Sequence, residues 1–214
     1  MMNWLIRTFS SSIGKKQIMA VTGLGFCLFV LIHLLGNLTL YGGKESFLSY
    51  VEKLHSLGSL VTLAELGLAV SAVLHIVIGL LLFVQNLQAR PVRYAVTKRA
   101  GGRTLGSITA PYTGLLILVF IVVHLLKFRL VDKTTTNDFL ILSATFTQIG
   151  YVLFYLVGVA VVAVHVSHGF WSGFQTIGLN HPKYMTLIQR LGILFSIVLG
   201  IGFASIPVYI LSSL

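Results

Sequence analysis

Gln17–Gly43, QIMAVTGLGFCLFVLIHLLGNLTLYGG, carries no charge along its whole length and sets one imidazole, His33, deep inside it. At about 1.5 Å per residue, about 20 residues of helix cross a hydrocarbon layer about 30 Å thick, so this stretch is long enough to span a bilayer. Working outward, the same reading applies to Leu66–Ala89, Leu105–Leu126, Phe139–Asn180 and Leu191–Leu214, each free of charge. The fourth run exceeds one span, but its polar opening, SATFTQ, and its Gly-rich close, WSGFQTIGLN, leave Ile149–Trp171 as the apolar middle of a single helix. The pattern predicts an all-α, five-helix transmembrane bundle forming one membrane domain over residues 1–214, with helices near 17–41, 58–88, 105–127, 140–172 and 187–212.

Composition supports the same class. Of 214 residues, 56% are hydrophobic and 9% charged, with a mean hydropathy of +0.94, which excludes a water-soluble globular chain. The first apolar run is too long for a signal-peptide core and continues into HLLGNLTLYGG, so a retained helix is expected. The one cysteine, Cys27, lies inside that run and reads as a small apolar residue; alone it forms neither an intrachain disulfide nor a thiolate iron–sulfur site.

The basic residues Arg7, Lys15, Lys16, Arg90, Arg93, Lys98, Arg99, Arg103, Lys183 and Arg190 all flank the spans on one side, with no acid among them. On the other side Lys44, Lys53, Lys127, Arg129 and Lys133 are nearly balanced by Glu45, Glu52, Asp132 and Asp138. The positive-inside rule then places the N-terminus in the cytoplasm and, after five crossings, the C-terminus outside. The net charge of +10 is a topology signal gathered in short loops rather than a nucleic-acid signal. The loop ARPVRYAVTKRAGGRT is also suited to anionic lipid or an acidic soluble partner.

Four spans contain histidine: His33, His75, His124, and His165 with His168; the fifth contains none. Ionisable groups inside a membrane are costly and mark a cofactor, proton or substrate path. His33 and His124 come late in helices running outward, which places both in the outer half. His165 lies six residues before Trp171, about 9 Å at about 1.5 Å per residue, in the inner half, and His75 joins it by elimination. Opposed imidazoles at one depth suit a six-coordinate haem iron, and two pairs imply two haems b. No CxxCH is present for covalent attachment. Zinc fits less well, because a tetrahedral site needs its ligands at one depth. His165 and His168 share a helical face, and only one is needed as ligand. His55 and His181 fall in the connecting segments and read as solvated. Glycines near the ligands, including Gly79, Gly114, Gly158, Gly169 and Gly173, permit close approach of a backbone or a flat macrocycle.

With these residues in place the chain resembles a known family, the single-chain, two-haem cytochrome b membrane anchor of succinate dehydrogenases and fumarate reductases. SSIGKKQIMAVTGLGFCLFVLIHLLGNL is similar to that family's opening segment, and AELGLAVSAVLHIVIGL, APYTGLLILVFIVVHLLKFR and VHVSHGFWSGFQTIG resemble its second, third and fourth helices. The resemblance implies that His33 and His124 ligate a distal haem, on the outer side, and that His75 and His165 ligate a proximal one. It selects His165 over His168, which becomes a neighbour of the cofactor. It further implies a flavoprotein subunit and an iron–sulfur subunit on the cytoplasmic side, a quinone (menaquinone or ubiquinone) as redox partner, membrane lipid around the chain, and a prokaryotic cytoplasmic membrane. No succinate chemistry is expected here, since the GLGF and GIGF runs lie within apolar helices. The glutamate that some family members carry two residues before the fourth-helix ligand is Ala163. Quinone chemistry exchanges protons, which makes Glu52 and Glu65 the candidate carboxylates; Glu65, the only acid inside a span, equally suits a bond to a neighbouring helix. The rival readings are a dihaem anchor of another quinone-linked dehydrogenase, such as a formate dehydrogenase or a hydrogenase, and a haem-free, proton-coupled transporter, which predicts broken helices or inverted repeats.

Overall fold

The computed structural model describes residues 2–89 and 104–212. The basic residues Arg90, Arg93, Lys98, Arg99 and Arg103, with the loop proposed for docking, lie outside the described residues. The chain is helical throughout, with no strand among the described residues: α1 (Met2–Ser10), α2 (Ser12–Asn37), a 3-10 turn (Leu38–Gly42), α3 (Lys44–Ser56), α4 (Ser59–Gln88), α5 (Leu105–Phe128), α6 (Asp138–Phe146), α7 (Ile149–Thr176) and α8 (Pro182–Ser212). Among the described residues, five helical segments are long and apolar enough to cross a membrane: Ser12–Gly42, α4, α5, α7 and α8.

Local chemistry sets the boundaries. Ser11, Thr104 and Asn137 cap α2, α5 and α6, their side-chain oxygens accepting from the N–H of Gly14, Ser107 and Leu140. Gly178, at φ 100°, closes α7, while Leu179 N–H donates back to the Phe174 carbonyl at 2.9 Å, a left-handed C-cap that a β-carbon would disfavour. Where the sequence predicts one helix over 140–172, the structure has two. The break falls at Thr147–Gln148, with Gln148 in an extended conformation. At the break Thr145 donates to the Ile141 carbonyl at 2.7 Å and Thr147 to that of Ala144 at 2.8 Å, and the extended Gln148 interrupts the helix. The stretch with Glu52 and His55, expected as a loop, is helix α3.

The spanning helices form a square with one extra member. α2 packs on α4 and on α7, α5 packs on α7, and α4 touches α5 only sparsely. The remaining pairs, α2 with α5 and α4 with α7, stand across the diagonals. α8 lies against α7 and α2, burying Leu199, Phe203, Ile206 and Ile210. Close approach here depends on missing side chains: a Cβ on Gly202 of α8 would fall 2.7 Å from Leu34, and one on Gly173 of α7 would fall 2.9 Å from Leu24. Ala163 belongs to the same seam, 3.4 Å from where a Cβ on Gly200 would lie, so its position serves helix packing. At the end of the square that holds His33, α6, α3 and the 3-10 turn form a cap built on Leu40, Phe47, Leu142 and Phe146.

Candidate functional site

Four histidines meet in pairs, and each pair crosses one diagonal of the square. The ring of His33 (α2) lies 6.1 Å from that of His124 (α5), with an interplanar angle of 88°. The ring of His75 (α4) lies 6.5 Å from that of His165 (α7), at 68°. A ring bonded to a metal through one nitrogen has its centroid about 3 Å from the ion, given a metal–nitrogen bond of about 2 Å, so two opposed rings about 6 Å apart leave room for one ion between them. Helices on a diagonal hardly touch except through these side chains.

The two pairs stand at different levels. Thr22 of α2 reaches His75, and His33 follows eleven residues on; Thr113 of α5 reaches His165, and His124 also follows eleven residues on. Eleven residues are about three helical turns and about 16 Å of rise. That separation rules out a single four-histidine site. Among the described residues, no group of three or more His, Cys, Asp or Glu side chains is placed to hold a metal ion. Each level therefore offers two imidazoles in opposition and nothing else. A haem iron fits such a donor set, because the porphyrin supplies the other four nitrogens, whereas a structural zinc site needs about four protein ligands.

Packing around the rings differs between levels. At the His75–His165 level, the hydroxyl oxygens of Thr22 and Thr113 each lie 3.0 Å from an Nδ1, of His75 and His165 respectively. A Cβ on Gly23 would sit 3.3 Å from the His75 ring, and one on Gly114 3.6 Å from His165. At the other level Phe29 stacks on His33 at 5.5 Å, while Phe120 and Phe128 flank His124 at 5.7 and 5.0 Å. There His124 Nδ1 is buried without a hydrogen-bond partner among the described residues, and the Asn37 amide lies 3.5 Å from His33 Nε2.

The remaining candidates fall elsewhere. His168 turns to Trp171, ring to ring at 4.8 Å, and its Nδ1 has no hydrogen-bond partner. His181 accepts from Lys183 N–H at 3.2 Å in the turn before α8, and His55 is exposed on α3. Glu52 is exposed on the same helix. Glu65 of α4 forms a two-point pair with Arg129, which donates from Nε and Nη2 at 2.8 and 2.9 Å across the sparse α4–α5 seam. These hydrogen bonds, with the opposite charges, hold the guanidinium further in its charged form. Both oxygens of Glu65 are thereby engaged, which meets the cost of the only acid within a span.

Thr22 and Thr113 went unnoticed in the sequence, yet a signal for them exists. T-G-L followed by eight residues and a histidine occurs twice, at Thr22–His33 and at Thr113–His124. Comparison of the chain with protein-family models, curated proteins and solved structures finds no match.

Proposed function

We propose that this chain is a membrane cytochrome b with two haems, the anchor subunit of a succinate:quinone oxidoreductase that exchanges electrons with a quinone. The observation that carries the haem reading is the pair of crossed diagonals: two imidazoles per level, 6.1 and 6.5 Å apart, at two levels of one bundle. His33 with His124 would hold one haem, and His75 with His165 the other. Bound haem iron supplies one-electron chemistry. The chain's histidines would supply nitrogens to hold each haem, while the surrounding side chains would keep water from them and the helices separate the levels in depth. Phe120, Phe128 and Phe203 wall the His33–His124 level, Phe203 at 5.7 Å from His33. The assignment to the succinate family rests on the sequence resemblance, which includes the histidine-free last helix. The transporter reading expects interrupted spans, whereas α4, α5, α7 and α8 each run unbroken.

The test is a haem count on the purified chain. Dithionite-reduced spectra with a pyridine haemochrome assay are expected to give two haems b per chain, both low-spin. A chain purified from haem-replete cells with none defeats the reading. Two haems without co-purifying flavoprotein and iron–sulfur subunits would keep the cytochrome and defeat the succinate assignment.

A further inference from the structure

The two levels are built with different outer hydrogen bonding, and one of them repeats a single device twice. Thr22 Oγ1 donates its one proton to its own helix, at 2.8 Å from the Ile18 carbonyl and 3.2 Å from that of Met19. Thr113 Oγ1 does the same, at 3.1 Å from both Thr109 and Ala110. With the hydroxyl proton committed, each oxygen has only lone pairs to offer the imidazole 3.0 Å away. With the hydroxyls turned to these carbonyls, the contact is completed by the Nδ1–H tautomer of His75 and of His165. Nε2 is left with its lone pair on both histidines, and the ring is fixed before any metal arrives. Among the described residues no threonine hydrogen-bonds His33 or His124, and His124 Nδ1 has no hydrogen-bond partner.

We infer that Thr22 and Thr113 are positioning residues that set the tautomer and donor strength of His75 and His165, and thereby the redox potential of one haem and not the other. The inference rests on the two-haem reading. A ligating imidazole that donates its second N–H becomes a more basic ligand, and losing such a partner costs about 10- to 100-fold in metal affinity or activity. A stronger donor favours the ferric over the ferrous state, so removing the acceptor raises the potential. The repeat makes the argument specific: the same residue, on equivalent helices, eleven residues before a histidine of the other level, serves both ligands of one level.

The test uses Thr22→Val and Thr113→Val, which keep the side-chain shape and remove the hydroxyl, beside Thr22→Ser and Thr113→Ser, which keep the hydroxyl. Optical redox titration of the purified wild-type complex and each variant follows both haems separately. The valine variants are expected to shift the ferrous-to-ferric ratio of one haem about tenfold toward ferrous at fixed ambient potential, a rise of about 59 mV for a one-electron couple. The second haem is expected to stay within error, and serine to restore the wild-type value. Loss of that one haem from a valine variant, with serine retaining it, also supports the role. No shift, an equal shift of both haems, or a serine variant as altered as valine would overturn it while leaving two haems in place. A wild-type complex without haem would overturn the underlying reading instead.

Discussion

Alanine at His33 or at His124 is expected to reduce the haem content from two to one per chain and to remove the same spectral component in both variants. Alanine at His75 or at His165 is expected to remove the other. The pairing follows from the diagonals: the rings meet as His33 with His124 and His75 with His165, and a six-coordinate iron that loses one imidazole loses half of its protein ligation. The remaining level, about 16 Å away along the bundle, keeps both ligands. His168→Ala is expected to retain two low-spin haems, since its ring packs on Trp171 rather than in either pair. Pyridine haemochrome counts and low-temperature reduced spectra of all five variants measure this. Loss of the same component from His33→Ala and His75→Ala would defeat the pairing, and loss of a haem from His168→Ala with His165→Ala intact would reassign the ligand.

Phe146→Ala is expected to be the most destabilising change outside the spans. Phe146 is 2% exposed and meets Tyr155 at 4.9 Å, Tyr151 at 5.8 Å and Phe128 at 5.9 Å. Phe128 in turn lies 5.0 Å from His124, so the aromatic cluster joins the cap helix α6 to the histidine level beneath it. Removing a buried phenylalanine costs about 3–5 kcal/mol. The expected result is a lowered thermal midpoint in detergent, with the haem at the His33–His124 level lost before the other. Ile201→Ala on α8, 68% exposed, is the matched control and is expected to change stability by no more than about 0.5 kcal/mol. Equal destabilisation by the two changes, or earlier loss of the His75–His165 haem, would show that α6 does not support the nearer level.

The spans were legible because a bilayer imposes a length on apolar runs, and Gln17–Gly43 or Leu191–Leu214 satisfies it without reference to any neighbour. The histidines were legible for a related reason: an imidazole in hydrocarbon stands out against its surroundings. What the sequence hid is what depends on partners far along the chain. Glu65 finds Arg129 across 64 positions, and nothing local to either residue announces the other. The threonines were hidden differently. Thr22 and Thr113 are of a type that satisfies itself on its own helix, so neither looks unpaired until the fold brings a ring within 3.0 Å. The break between α6 and α7 falls at the end of the polar run SATFTQ, and α7 starts at Ile149, where the apolar middle of the fourth run begins.

The eleven-residue spacing between threonine and histidine, present on α2 and again on α5, has an electrical meaning. It separates the two levels by about 16 Å along the bundle, about half of a hydrocarbon layer about 30 Å thick. Carrying one elementary charge through the whole layer is worth about 2.3 kcal/mol per 100 mV, so the same charge resting at one level or at the other differs by about 1.2 kcal/mol per 100 mV. With a haem at each level, as proposed, the bundle would be a fixed voltage divider: the spacing of two side chains on one helix face would decide what share of the membrane potential acts on the electron balance between the two levels.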